Sequence, residues 1–154
     1  MFDLKNKKIF VAGHKGMVGS SIMNELYSLN LEVLTAEKNE LDLRDFSRVN
    51  NWFKKNKPEV VVIAAAKVGG IHANSSYPVQ FLLDNLKIQN NLIETSYHHD
   101  VKKLLFLGSS CIYPKNSPQP IKEDYLLTSP LEQTNEWYAL AKISGLKLCQ
   151  AYRK

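Results

Sequence analysis

Tyr138-Ala139-Leu140-Ala141-Lys142 sets a phenol and an ammonium four residues apart. On a helix that spacing puts both side chains on one face. An ammonium beside a phenol favours the phenolate and lowers its pKa, which makes the tyrosine a usable proton donor to an oxygen gaining charge. Gly108-Ser109-Ser110-Cys111 follows an apolar run, Leu104 to Leu107, that reads as a strand. A serine at the C-terminal end of such a strand can donate a hydrogen bond to a carbonyl on which negative charge develops. Residue types alone leave two other readings open. Tyr-x-x-x-Lys also describes a tyrosine covering a helix beside a solvated lysine, and Cys111 a small buried hydrophobe.

A second constellation lies near the start. Val11-Ala12-Gly13-His14-Lys15-Gly16-Met17-Val18-Gly19 places three glycines at three-residue spacing between a strand candidate and a helix-period segment. Gly13 lets the chain turn out of the strand, Gly16 lets backbone approach a pyrophosphate, and Gly19 lets the helix pack on the sheet. The positive end of that helix then faces the phosphates. If that loop holds a dinucleotide, charge at the end of the second strand bears on its adenosine ribose. In Thr35-Ala36-Glu37-Lys38 a cation suits a 2′-phosphate and an acid a free 2′-hydroxyl. Lys38 and Lys15 favour the phosphate and Glu37 opposes it. Solvated surface lysines remain the other reading of both cations.

The elements that must position these residues alternate. Ile9 to Ala12 predicts a buried strand, and Val18, Ile22, Leu26 and Leu29 predict one apolar helix face. Leu31 to Thr35 reads as a second strand and Leu41-Asp42-Leu43 as the end of a brief third. Asp45 predicts a cap for a helix carrying Phe46, Val49 and Phe53, ended by Pro58. Val60 to Ala65 is apolar without alternation, as expected of a strand buried on both faces of a parallel sheet. Lys67 to Tyr77 reads as a loop. Pro78 opens a helix with Val79, Leu82, Leu86 and Ile93 inward, and Asn135 caps a last helix to about Tyr152. The series predicts an α/β fold with a doubly wound parallel sheet of Rossmann type.

Composition narrows the classes. The 154 residues are 44% apolar and carry 20 basic against 15 acidic side chains, a formal charge of +5. The charges are dispersed, so no nucleic-acid partner is expected. No apolar run is long enough to span a bilayer, and no signal peptide is evident. Cys111 and Cys149 make no disulfide framework. The chain reads as cytoplasmic. His14, His72, His98 and His99 lack ligand spacing, so no metal site is expected.

Gly13-x-x-Gly16-x-x-Gly19, Ser109 and Tyr138-x-x-x-Lys142 together resemble the extended short-chain dehydrogenase/reductases that act on nucleotide sugars. Two longer segments, Ala64-Ala65-Ala66-Lys67-Val68-Gly69-Gly70-Ile71-His72-Ala73-Asn74 and Phe106-Leu107-Gly108-Ser109-Ser110-Cys111-Ile112-Tyr113-Pro114, resemble the GDP-L-fucose synthase family. The resemblance runs the length of the chain. It implies an NADP-dependent 3,5-epimerase/4-reductase converting GDP-4-keto-6-deoxy-D-mannose to GDP-L-fucose. In that role Tyr138 protonates the C4 oxygen, Lys142 tunes Tyr138 and holds the nicotinamide ribose, and Ser109 polarises the carbonyl. Cys111 matches the family's acid/base in epimerisation.

The same resemblance assigns the cofactor to Gly13, His14, Lys15, Gly16, Met17, Val18 and Gly19, with Lys38 at the 2′-phosphate. Asp42 and Leu43 match the adenine contact. Ala64, Ala65 and Ala66 lie beside the cofactor, as do Leu107, Gly108, Ser109 and Ser110, and Asn85 braces strand ends. The family carries a smaller substrate domain beyond the last helix found here. Residues 1–154 are therefore expected to be an NADP-binding Rossmann-type domain, ending before the last strand and inactive alone. A GDP-sugar substrate and a homodimer through the helices around 79–98 and 135–152 are implied by analogy. Two other readings stay open: a non-catalytic NADP-binding module or split subunit completed by another chain, and another NAD(P)-dependent nucleotide-sugar epimerase.

Overall fold

A computed structural model describes residues 2–154. The chain separates into two compact units, one running to Ala66 and resuming over Lys87–Leu107, the other Lys67–Leu86 with Gly108–Lys154. The first unit holds a four-stranded, wholly parallel sheet: β1 (Ile9–Ala12), β2 (Val33–Leu34), β3 (Val60–Ile63) and β4 (Lys103–Phe106), in the order β2-β1-β3-β4. Ile9 pairs with Val33 on one side and Val60 on the other, and Ile63 with Phe106.

Both central strands are buried end to end because each face carries a helix. Ile9, Val11, Val60 and Val62 pack on Met23 and Leu26 of α1 (Met17–Ser28). Phe10, on the opposite face, meets Trp52 and Phe53 of α2 (Phe46–Asn56) at ring-centroid distances of 4.2 and 6.0 Å. Alternate side chains thus feed two cores, and the sheet is doubly wound. As expected, Asp45 caps α2 by accepting from the Arg48 N–H, and the helix stops at Lys57 in a left-handed conformation before Pro58.

Several details differ from the sequence reading, each for a local reason. Leu41-Asp42-Leu43 is not a strand. The Glu37 carbonyl accepts from the Glu40 and Leu41 N–H groups, closing a turn that sends only Leu41 fully inward. β2 is correspondingly short. The buried face of α1 is Gly19, Met23 and Leu26, while Val18 and Leu29 are exposed. Gly19 fixes that phase, since a Cβ there would strike the backbone carbonyl of Gly13. Phe46, at the start of α2, is also largely exposed.

The second unit holds α3 (Ile71–Ser76), the first part of α4 (Pro78–His98) and α5 (Glu136–Tyr152). Its 67–77 segment is not a plain loop, since it contains α3, whose buried Asn74 donates to the carbonyls of Gly69 and Gly70 at 2.9 and 3.2 Å. The inward residues of α4 are Phe81, Asn85 and Gln89, then Leu92 and Ile93, whereas Val79 is exposed. A buried asparagine and glutamine at helical spacing with Phe81 displace the expected aliphatic stripe. Asn135 occupies the N-cap position of α5 but makes no side-chain capping bond. No described helix is long and apolar enough to cross a membrane.

Candidate active site

In the first unit the strand order reverses at β1 and β3, and ligands of open α/β sheets bind at the carboxyl ends of strands flanking such a point. Gly13 leaves β1 with φ +87°, and its Gly13 carbonyl accepts from the Gly16 N–H at 3.0 Å. A Cβ on Gly13 would sit 2.6 Å from the Ala65 backbone nitrogen, so glycine is what lets the turn close over Ala64 and Ala65. Gly16 then caps α1 with no side-chain bond to its first turn, which contains no acidic residue. The site is therefore made of backbone. Met17 is 88% exposed and Val18 also lies outward, so their contribution to the loop is main-chain N–H.

Lys15, His14 and Lys38 lie around this backbone turn. Lys15 Nζ lies 2.6 Å and His14 Nε2 3.4 Å from the same oxygen, Oε1 of Glu37. The Lys15 hydrogen bond, followed by the charges of Lys15 and His14, holds the Glu37 carboxyl below its ordinary pKa. Lys38 is exposed and acts electrostatically on Asp42. Asp42 is gripped by Arg44, whose Nε and Nη2 donate at 3.0 and 2.8 Å and whose backbone N–H donates at 3.0 Å. These bonds lower its pKa to about 2. The Leu43 carbonyl accepts from Asn91 Nδ2 at 2.9 Å. A glycine turn, an open helix N-terminus and two nearby cations fit the diphosphate and 2′-phosphate of a dinucleotide.

The second unit brings Ser109, Cys111, Tyr138 and Lys142 together. Ser109 starts a 3-10 turn, Ser110–Ile112, and its Oγ lies 3.1 Å from Cys111 Sγ. Ser109 is near enough to the Tyr138 hydroxyl to favour its ionised form. Lys142 is 4% exposed, and its Nζ sits 5.8 Å from the centre of the Tyr138 ring. One expectation is overturned: the Tyr138 pKa is raised, not lowered. Burial raises it, the charge of Cys111 adds to the rise, and Ser109 only partly opposes both. Burial likewise lowers the Lys142 pKa. Tyr138 thus holds its proton firmly at neutral pH, ready to give it up when an oxygen in reach becomes basic. Cys149, in the last turns of α5, is raised by burial.

Gly108 and Ser110 are exposed beside this cluster, and Leu107 extends the β4 pairing with its N–H on the Ile63 carbonyl at 3.4 Å. Asn85 braces the loop after β3: its Oδ1 accepts from the Lys67 N–H at 2.8 Å, and its Nδ2 donates to the Lys67 and Phe81 carbonyls at 3.0 and 2.7 Å. The bracing roles of Asn74 and Asn91 were missed by sequence reasoning. For Asn91 the available signal was an asparagine inside an otherwise amphipathic helix, the same that exposed Asn85, whereas Asn74 falls in the 67–77 segment that reads as a loop. His99 contacts Asn50 at 2.8 Å and the Phe53 ring, and among the described residues no three His, Cys, Asp or Glu side chains converge.

The sheet and its glycine turn define a Rossmann-type α/β fold, to which the second unit adds a Ser–Tyr–Lys cluster with an adjacent thiol. Residues 9–154 match the NAD dependent epimerase/dehydratase family, and the chain belongs to that family. It is 57% identical to the GDP-L-fucose synthase of Sinorhizobium fredii over 100% of this chain and 49% of that protein. It is 59% identical to the putative GDP-L-fucose synthase 2 of Arabidopsis thaliana over 97% of this chain and 46% of that protein. The solved structure of MlghC, a GDP-mannoheptose C4 reductase from Campylobacter jejuni with NADP bound, superposes with a TM-score of 0.92 at 38% identity. It covers 96% of this chain and 47% of that one. The chain spans about half the length of the relatives it matches.

Proposed function

We propose that residues 1–154 form the NADP-binding domain of an epimerase/reductase that converts GDP-4-keto-6-deoxy-D-mannose to GDP-L-fucose. The observation that carries this is the meeting of Ser109, Cys111, Tyr138 and Lys142, with identities near 57% to GDP-L-fucose synthases along the whole chain. The glycine turn, Lys15 and Lys38 would hold NADPH, which supplies the hydride. The relative solved with NADP supports that cofactor.

Ser109 Oγ donates to the C4 carbonyl and draws charge toward its oxygen, which acidifies the protons on the flanking carbons. Cys111 Sγ, 3.1 Å from Ser109 Oγ, exchanges protons at those carbons during epimerisation. Tyr138 protonates the C4 oxygen as charge builds there in reduction. Lys142, one turn along the helix from Tyr138, would tune that phenol and hold the nicotinamide ribose, as the resemblance implies. Epimerisation also needs a partner acid/base and a sugar pocket, which the reading assigns to the C-terminal half of such enzymes. The same reading makes the protein a cytoplasmic homodimer through α4 and α5, and exposed Val79, Leu83 and Tyr97 on α4 support it.

The test is calorimetry of NADPH with the 154-residue chain, alongside turnover of GDP-4-keto-6-deoxy-D-mannose with and without the C-terminal half of a GDP-L-fucose synthase. NADPH binding with turnover only when the second half is present is expected. NADPH binding with no turnover in either case would instead identify a non-catalytic module. Loss of NADPH binding altogether would overturn the proposal.

A further inference from the structure

Glu37 is the residue that fits the dinucleotide site least well. It stands three residues beyond β2, where an acid ordinarily selects a free ribose 2′-hydroxyl. Its neighbours Lys15, a cation, and His14, whose ring nitrogen reaches the same oxygen, are the groups that a 2′-phosphate would meet there. The carboxylate takes both through one oxygen, at 2.6 and 3.4 Å. The three side chains come from two segments whose strands, β1 and β2, are adjacent in the sheet. Its members are unequally exposed: His14 is 17%, Glu37 48% and Lys15 70% accessible. Glu37 and Lys15 are therefore free to part when a competing anion arrives.

We propose that Glu37 is a selectivity residue that competes with the 2′-phosphate for Lys15 and His14, so that it weakens the preference for NADP over NAD. This rests on the dinucleotide reading above and specifies it. A phosphate entering the site gains Lys15 and His14 but must first displace a carboxylate already bound to them. A cofactor with a free 2′-hydroxyl leaves the Glu37–Lys15–His14 cluster intact and meets no such competition. The chain should consequently discriminate less sharply between the two cofactors than its lysines alone would dictate.

Adenosine fragments isolate this contact from the rest of the cofactor and from catalysis. Calorimetric titration of the chain with 2′,5′-ADP and with 5′-AMP gives the discrimination directly. Glu37→Gln should tighten 2′,5′-ADP by roughly threefold to fivefold, the scale of an exposed ion pair, and leave 5′-AMP unchanged. In a Lys15→Gln background the same substitution should lose most of that gain, a coupling that a merely structural role for Glu37 would not produce. Equal effects on both fragments, or no change in either, would overturn the inference while leaving the dinucleotide reading in place. If neither fragment binds the wild-type chain or the variants, the dinucleotide reading itself fails and takes the inference with it.

Discussion

The glycine turn of the first unit and the four-residue cluster of the second use opposite materials. Around Gly13, Gly16 and Gly19 the working groups are main-chain N–H groups, and side chains matter chiefly by their absence. Around Ser109, Cys111, Tyr138 and Lys142 the working groups are a hydroxyl, a thiol, a phenol and an ammonium, each defined by its side chain. The first arrangement should tolerate many changes of chemistry and few changes of volume. The second should tolerate changes that keep shape and fail when one functional atom is removed. A backbone site is thus coupled to stability, whereas a side-chain site is coupled to rate.

Removing a single oxygen from the second site is the sharpest test. Tyr138→Phe, in the chain joined to the C-terminal half of a GDP-L-fucose synthase, should lower reduction by about a hundredfold to ten-thousandfold, the range for loss of a positioned proton donor. NADPH affinity and the unfolding midpoint should stay close to wild type, because the ring and its packing remain. Single-turnover absorbance at the nicotinamide band with denaturant unfolding separates the two. A wild-type rate would remove Tyr138 from the mechanism. An unfolded variant would mean that the phenol is structural and the contrast between the units is false.

Adding a single carbon to the first site should do the reverse. Gly13→Ala puts a Cβ against the backbone of Ala64 and Ala65 at a residue with φ +87°. Left-handed strain and overpacking together should cost about 2–4 kcal/mol in urea unfolding and abolish nucleotide binding. A variant that is as stable as wild type and still binds 5′-AMP would show that the turn is looser than its contacts imply.

How far the sequence discloses each unit follows from the same contrast. Apolar runs such as Val60 to Ile63 announce buried parallel strands because both faces must be apolar, and Asp45 announces a helix start because its side chain fills an orphan donor. Helix phase was harder. Val18 and Leu29 looked inward by period, yet Gly19 sets the rotation of α1 by how closely it approaches Gly13, a tertiary contact with no apolar signature. In α4 the inward positions include Asn85 and Gln89, which a hydrophobic count discards. Glycine spacing and Tyr-x-x-x-Lys marked the two sites because their chemistry needs those residue types. The direction of the Tyr138 pKa was not legible, since burial depends on everything packed around the ring and outweighs its neighbour in sequence.

Asp42 provides the smallest and most discriminating test of the backbone rule. Resemblance places it at the adenine, but its carboxylate is already held by three donors from Arg44. If the first unit binds ligand through its main chain, Asp42 serves the turn and not the ligand. Its pKa lies at about 2 in the folded chain against an ordinary 3.8, so the ionised form is favoured by folding. The stabilisation is therefore complete above pH 4 and is lost as pH falls through the interval down to about 2. With the side chain 31% exposed, solvent screening reduces the contribution to about 1 kcal/mol. Asp42→Asn should lower stability by that amount at pH 7, with the difference from wild type shrinking toward zero near pH 2, and should leave 5′-AMP affinity unchanged. A pH-independent difference would assign the effect to shape. A variant with full stability and weakened 5′-AMP binding would make Asp42 a ligand contact, and the adenosine would then be held by a carboxylate as well as by the turn.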